Sequence, residues 1–163
     1  MAETVHLFLK ADGADIKGDS TQESLGRKDS IECVSYQHGV SNATDEATKA
    51  ATGRRQHTPI TIRKRIDKAS PLLIKALAEN KKIDGSFKFY RPSVGGDGTT
   101  EQFYTVTIKD GHVSSVTQVS PDTLSAASAN EPPFEEVSFV FKTINWTITK
   151  GGASHEDEWG KQK

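Results

Sequence analysis

The residues best suited to metal binding or nucleophilic chemistry in this chain are five histidines and one cysteine: His6, His38, His57, His112, His155 and Cys33. They are scattered, and no two of them stand at the spacing by which zinc-binding His and Cys pairs converge on one ion. Cys33 falls in the middle of a strand-like run, where a small buried thiol is the ordinary case. No G-x-S-x-G presents a serine at a strand-to-helix elbow. "VGGDGTTE", Val94 to Glu101, is glycine-rich, but no Lys-Ser or Lys-Thr follows it to hold a phosphate, so it reads as a hairpin loop. "KADGADIKGDS" gathers Asp12, Asp15 and Asp19, yet the spacing misses the alternate oxygen ligands of a calcium loop and reads as a solvated turn. The residues therefore predict no catalytic, metal or cofactor site, and a binding or assembly protein rather than an enzyme.

The elements that would carry these residues are mostly short strands. "VHLFLK" sets Val5, Leu7 and Leu9 against His6 and Phe8, "ITIRKRI" sets Ile60, Ile62 and Ile66 against Arg63 and Arg65, and "SFKFY" sets Phe87 and Phe89 against Lys88 and Tyr90. In "FYTVTIKDGHVSSVTQV", Asp110-Gly111 tolerates the positive φ of a tight turn and predicts a hairpin there. "EVSFVFKTINWTIT" adds one long bent strand or two. One helix is expected in "DKASPLLIKALAENKKIDG", with Ser70 capping it, Pro71 in its first position, and Leu72, Leu73, Ala76 and Leu77 as its apolar stripe. Two long polar stretches, Ser41 to His57 and Ser120 to Pro133, are predicted as loops. In the first, Arg54 and Arg55 are equally well read as a partner contact or as a solvated tip. This pattern predicts a mainly β fold with one helix, an antiparallel barrel or sandwich with the helix packed on one side.

Composition bounds the rest. A chain of 163 residues makes one domain. Its 21 basic and 22 acidic residues give a net charge of -1, no field for a polyanion, so nucleic acid is not an expected partner. No apolar run approaches transmembrane length, and the N-terminus has no basic region followed by a long apolar one, so neither membrane insertion nor a signal peptide is expected. A single cysteine allows no intrachain disulfide.

"SIECVSYQHGV", Ser30 to Val40, poses a problem. Ile31, Cys33, Ser35 and Gln37 alternate with Glu32, Val34, Tyr36 and His38, and neither set is uniformly apolar, although a half-buried strand should have one apolar face.

The ordered segments resemble the haemolysin co-regulated protein (Hcp) family, the tail-tube subunit of the type VI secretion system. The likeness rests on "FLKADGADIKGDSTQESLGRKDSIECVSYQHGVS", "TPITIRKRIDKASPLLIKALAENKKI", the aromatic-rich strands and the ending "HEDEW". Its most specific parts are Gly18-Asp19-Ser20, His38-Gly39-Val40-Ser41 and Asp67-Lys68-Ala69-Ser70-Pro71. The resemblance implies one antiparallel β-barrel flanked by an α-helix over residues 1–152, followed by a charged tail over 153–163. It implies a non-enzymatic homohexamer whose rings stack into a tube inside contractile sheath proteins, tipped by a spike protein and carrying effector proteins in its lumen. Such a chain is cytoplasmic before contraction and is then secreted. It also suggests an answer to the strand problem: Cys33, Ser35 and Gln37 face the lumen and contact effectors, while Val34 and Tyr36 face the barrel interior. Asp45, Glu46, Arg54 and Arg55 then belong to the loop that joins ring to ring. A monomeric barrel binding a small ligand and a phage-type tail tube subunit are the competing readings.

Overall fold

The computed structural model describes residues 3–160. Twelve strands and one α-helix follow in the order β1 (Thr4–Ala11), β2 (Ala14–Ile16), β3 (Ile31–Cys33), β4 (Ser35–Gln37), β5 (Val40–Thr44), β6 (Ala51–His57), β7 (Ile60–Arg65), α1 (Ser70–Ala78), β8 (Ile83–Pro92), β9 (Thr100–Val119), β10 (Phe134–Val140), β11 (Thr143–Ile148) and β12 (Ser154–Glu158). The fold is mainly β with one helix, and its strand pairs are antiparallel, as expected. The main sheet runs β2-β1-β8-β9-β10-β7-β4, with β11 on β9, β12 on β11 and β3 on β1. It is not a closed ladder. Its two ends meet at the segment 31–37, where β3 pairs with β1 and, one residue further on, β4 pairs with β7.

Alternating apolar residues build the core enclosed by this curled sheet. Leu7 and Leu9 of β1, Ile60 and Ile62 of β7, Phe87 of β8, Ile108 of β9, Val137 and Phe139 of β10 and Ile144 of β11 are buried. Each contributes about 1.5–3 kcal/mol relative to exposure. Helix α1 buries Ser70, Leu73 and Ala76, while Leu72 and Leu77 stay in solvent, so its buried stripe is narrower than the sequence suggests. Ser70 is inside the helix and does not cap it. Its hydroxyl instead accepts from the Asp67 backbone N–H, while Asp67 Oδ1 accepts from the Ala69 N–H at 2.9 Å, which fixes the chain as it enters the helix.

The predicted hairpin at Asp110-Gly111 is a bend inside one strand of 20 residues. Asp110 has φ +53, the local change of direction that was expected, but the chain continues. The half of β9 before the bend pairs with β8 and β11, and the half after it with β10. Gly111 is required by crowding: a Cβ there would run into the Val140 carbonyl oxygen.

Two regions predicted to be irregular are ordered strands. Ser41 to His57 forms a two-stranded hairpin, β5 with β6, separate from the main sheet. Within the charged segment predicted as a tail over 153–163, Ser154–Glu158 form β12, which pairs with β11 from Thr143↔Glu158 to Thr147↔Ser154, and residues 161–163 lie outside the described residues. Ser120 to Pro133 is free of strand and helix, as predicted, and "VGGDGTTE" lies at the β8–β9 hairpin turn.

Candidate functional site

The strand problem is resolved by a break at Val34. Cys33 still pairs with Val5 of β1, Ser35 already pairs with Arg63 of β7, and between them the Val34 N–H donates to the Arg63 carbonyl at 2.7 Å. One residue in the handover falls out of alternation, so Val34 and Ser35 both point outward. Cys33 is buried in the core with Ile31 and does not share a face with Ser35 and Gln37, while Val34 is 61% exposed rather than interior. Both assignments are thereby corrected. Tyr36 does turn inward, its ring edge-on to Phe87 and Phe89 at 5.3 and 5.0 Å. Burial pushes the Cys33 thiol pKa up, so it stays protonated and unreactive.

Ser35 and Gln37 are exposed, and cross-strand register extends them into a polar outer face. One row runs Gln37, Thr61, Ser138 and Ser115 across β4, β7, β10 and β9, and the next runs Ser35, Arg63, Glu136 and Thr117. The hydroxyls of Thr61 and Ser138 are 2.9 Å apart and hydrogen-bonded. Arg63 lies 3.5 Å from Glu136 and stacks 4.0 Å over the Phe134 ring. The face is thus rich in hydroxyls, and its opposite charges stand together. It can offer many weak hydrogen bonds without a strong field.

The hairpin β5–β6 projects from the sheet as an arm. Every residue of β5 is exposed, and so is most of β6. Its turn is organised only locally: Asp45 Oδ1 accepts from the Ala47 and Thr48 N–H groups at 2.8 and 2.9 Å, which hold its carboxyl below the usual range. Glu46 and Arg54 are exposed on the same arm. Arg55 is not available to a partner in the way the sequence reading assumed. Its guanidinium grips Asp157 of β12 with two hydrogen bonds, 3.0 and 2.9 Å long.

Asp157 Oδ2 also accepts from His57 Nε2–H at 2.9 Å, and His57 lies among Trp146, Trp159, His38 and Phe141. Burial by itself would raise the Asp157 carboxyl, but the hydrogen bonds from Arg55 and His57 outweigh it and hold the group at about 2. The sequence reading missed this cluster. Its only signal was Trp159, an aromatic in an otherwise charged segment.

A second missed group is Lys64, which occupies the next inward position after Ile60 and Ile62 on β7, while Ile66, expected on the same face, lies beyond the strand and is exposed. Lys64 is fully buried and held by Asp67 Oδ1 at 2.9 Å, Glu135 Oε2 at 3.3 Å, the Ser70 hydroxyl at 3.2 Å and the Arg65 carbonyl at 2.9 Å. The motif residues around it are structural. Gly18 lies where a Cβ would press on the Ser30 carbonyl at 2.7 Å, Asp19 accepts from the Lys68 N–H at 3.1 Å, and Asp67 accepts from the Asp19 N–H at 3.3 Å. Gly18-Asp19 and Asp67-Lys68, 49 residues apart for the Asp19–Lys68 bond, therefore lock together.

Among the described residues, no three His, Cys, Asp or Glu side chains are grouped to hold a metal ion, and no helix is long and apolar enough to cross a membrane. What the geometry presents is an antiparallel β module with a polar outer face and an exposed arm, surfaces suited to contact with other proteins.

Comparison with known proteins gives this class a family. The family model described as "Type VI secretion system effector, Hcp" matches residues 8–148. The "Major exported protein" of Pseudomonas aeruginosa is 31% identical over 146 residues, covering 89% of this chain and 83% of that protein. The solved Hcp1 protein of the E. coli EAEC 042 pathovar, a variant form, is 32% identical with a TM-score of 0.83, covering 97% of this chain and 99% of that one. The secreted protein Hcp3 of Pseudomonas aeruginosa shares the fold at 22% identity and a TM-score of 0.73, covering 98% of this chain and all of that one. The chain belongs to the Hcp family of the type VI secretion system.

Proposed function

We propose that this chain is a structural subunit of a type VI secretion inner tube. Six copies close a ring, rings stack within contractile sheath proteins behind a spike protein, and the tube leaves the cell with effector proteins in its lumen. In this reading the face built on Ser35 and Gln37 lines the lumen, where hydroxyls and a paired Arg63–Glu136 suit varied cargo. Export follows from contraction and needs no leader, and the subunit does no chemistry.

The observation that carries the reading is the arm. An isolated two-stranded hairpin is marginal in water, yet β5 is exposed along its whole length and β6 along most of it. Such a hairpin gains stability when another subunit covers it, and a sixfold ring stacked on the next supplies that cover at each of its six arms. Asp45, Glu46 and Arg54 give the arm charges of both signs with which to set register against the next ring, each pair contributing little by itself.

Replacing Ala43 to Gly53 by a short Gly/Ser linker tests this. Rings should persist by native mass, because the barrel edges are untouched, while tube formation and export are lost. Export at the unmodified level would make the arm a passive excursion, and loss of the ring would assign it to the interface within the ring.

A further inference from the structure

We infer that Asp157, on the C-terminal strand β12, is the positioning residue for the β5–β6 arm: it fixes the direction in which the arm leaves the barrel and so sets its readiness to dock on the next ring. The inference rests on the stacking role proposed above for the arm.

The arm is anchored at its base. At its far turn the hydrogen bonds are local, between Asp45 and the residues that follow it. At its root, Gly39 and Thr58 hold the two strands together: the Thr58 N–H donates to the Gly39 carbonyl at 2.8 Å and the Gly39 N–H donates to the Thr58 hydroxyl at 2.9 Å. This pair closes the hairpin but does not tie it to the barrel. The tie comes from Arg55 and His57, both on β6, which converge on the one carboxylate of Asp157, 102 and 100 residues further along the chain.

The geometry of that tie is directional. A guanidinium bound through Nε and one terminal nitrogen to two carboxylate oxygens fixes the plane of both groups, and its contacts here are 3.0 and 2.9 Å. The second bond, His57 Nε2 to Asp157 Oδ2 at 2.9 Å, prevents rotation about the first. His57 is itself held by stacking on Trp146 and Trp159, with ring centroids 6.2 and 5.8 Å away, and on His38 at 5.4 Å, the residue two before β5. Both strands of the arm are thus registered against β11 and β12 at one point. Asp157 is 8% exposed, while Arg55 keeps about a quarter of its side-chain surface in solvent, so the join is shielded from water but lies at the edge of the barrel. A carboxylate in this position transmits the placement of β12 to the arm.

The test compares Asp157→Asn, which keeps the shape and one acceptor, with Asp157→Ala, which removes both, in the full-length chain. Amide hydrogen exchange of the purified protein is read alongside ring mass and tube formation. The inference predicts that exchange rises at least tenfold in β5 and β6 and stays unchanged in β7, β8 and β10, that rings persist, and that tubes become fewer and shorter, more so for Ala than for Asn. Asp157→Glu, which keeps the charge, should recover part of the tube formation. Faster exchange throughout the barrel would overturn the inference and make Asp157 a residue of general stability. Normal tubes from Asp157→Ala would also overturn it, provided that the Gly/Ser arm replacement abolishes them. If the arm replacement itself leaves tubes intact, the stacking role has failed and the inference fails with it.

Discussion

Among the described residues, Lys64 and Glu135 form the one charged pair with both side chains wholly withdrawn from solvent, and they set what a single substitution costs. Lys64→Met leaves Glu135 and Asp67 without their cation, and breaking a buried pair in this way destabilises by about 3–5 kcal/mol. Replacing both partners together, as Lys64→Met with Glu135→Leu, should recover much of the loss, since Glu135 Oε1 has no protein hydrogen-bond partner among the described residues in any case. Chemical denaturation of the single and double variants checks this, and equal losses in both would refute it. The histidines predict a response to acid. Burial lowers the pKa of His6, with Glu32 opposing and Arg27 adding to the effect, and burial followed by neighbouring His57 lowers that of His38. The unfolded chain, whose histidines titrate near ~6.5, therefore takes up protons first as pH falls. Stability that is full above that value declines as pH drops through it. Asp157 adds a second window: its contribution is present above the ordinary carboxylate value of ~3.9 and is lost as pH falls toward about 2. Melting temperatures should fall between pH 7.5 and 5.5, and less steeply for His38→Gln; a flat profile would contradict the assignment.

Element by element, the bend in β9 is the most exacting piece of backbone. Gly111→Ala forces a methyl group against the Val140 carbonyl at a point where β8, β9 and the end of β10 meet. A loss of about 1–3 kcal/mol is expected from such overpacking, and an unchanged denaturation midpoint would show that the strands can slide apart. The same bend illustrates what the sequence could disclose. Asp110-Gly111 announces a positive φ correctly, but local residues cannot distinguish a chain that turns back from one that bends and pairs onward, because the partners Ile108↔Ile144 and Val113↔Phe139 are distant in sequence. Alternation revealed β1, β7, β8 and β10, whose faces differ in wetness. It could not reveal β5, which is wet on both faces, or β12, whose order depends on pairing with β11 and on Asp157. Nor could it locate the break at Val34, which exists because β1 and β7 share the 31–37 segment between them. Of the candidate site, Ser35 and Gln37 were found on an exposed face, Cys33 was misplaced by that break, and Arg55 was assigned outward although its partner lies 102 residues away.

For the molecule as a whole, several surfaces are left that an assembly would cover. The arm is bare, β12 is the end strand of its side of the sheet, and Val34 and Leu72 add apolar surface at 61% and 42% exposure. Closing identical subunits into a ring covers strand edges and apolar surface together, without a dedicated partner. The central claim, that this chain is a ring-forming subunit, is tested most directly by native mass of the purified protein across micromolar concentrations. A single species of six times the 17.8 kDa chain, seen as a ring with a central pore by negative stain, is the predicted result. A monodisperse 17.8 kDa monomer over the same range would contradict it.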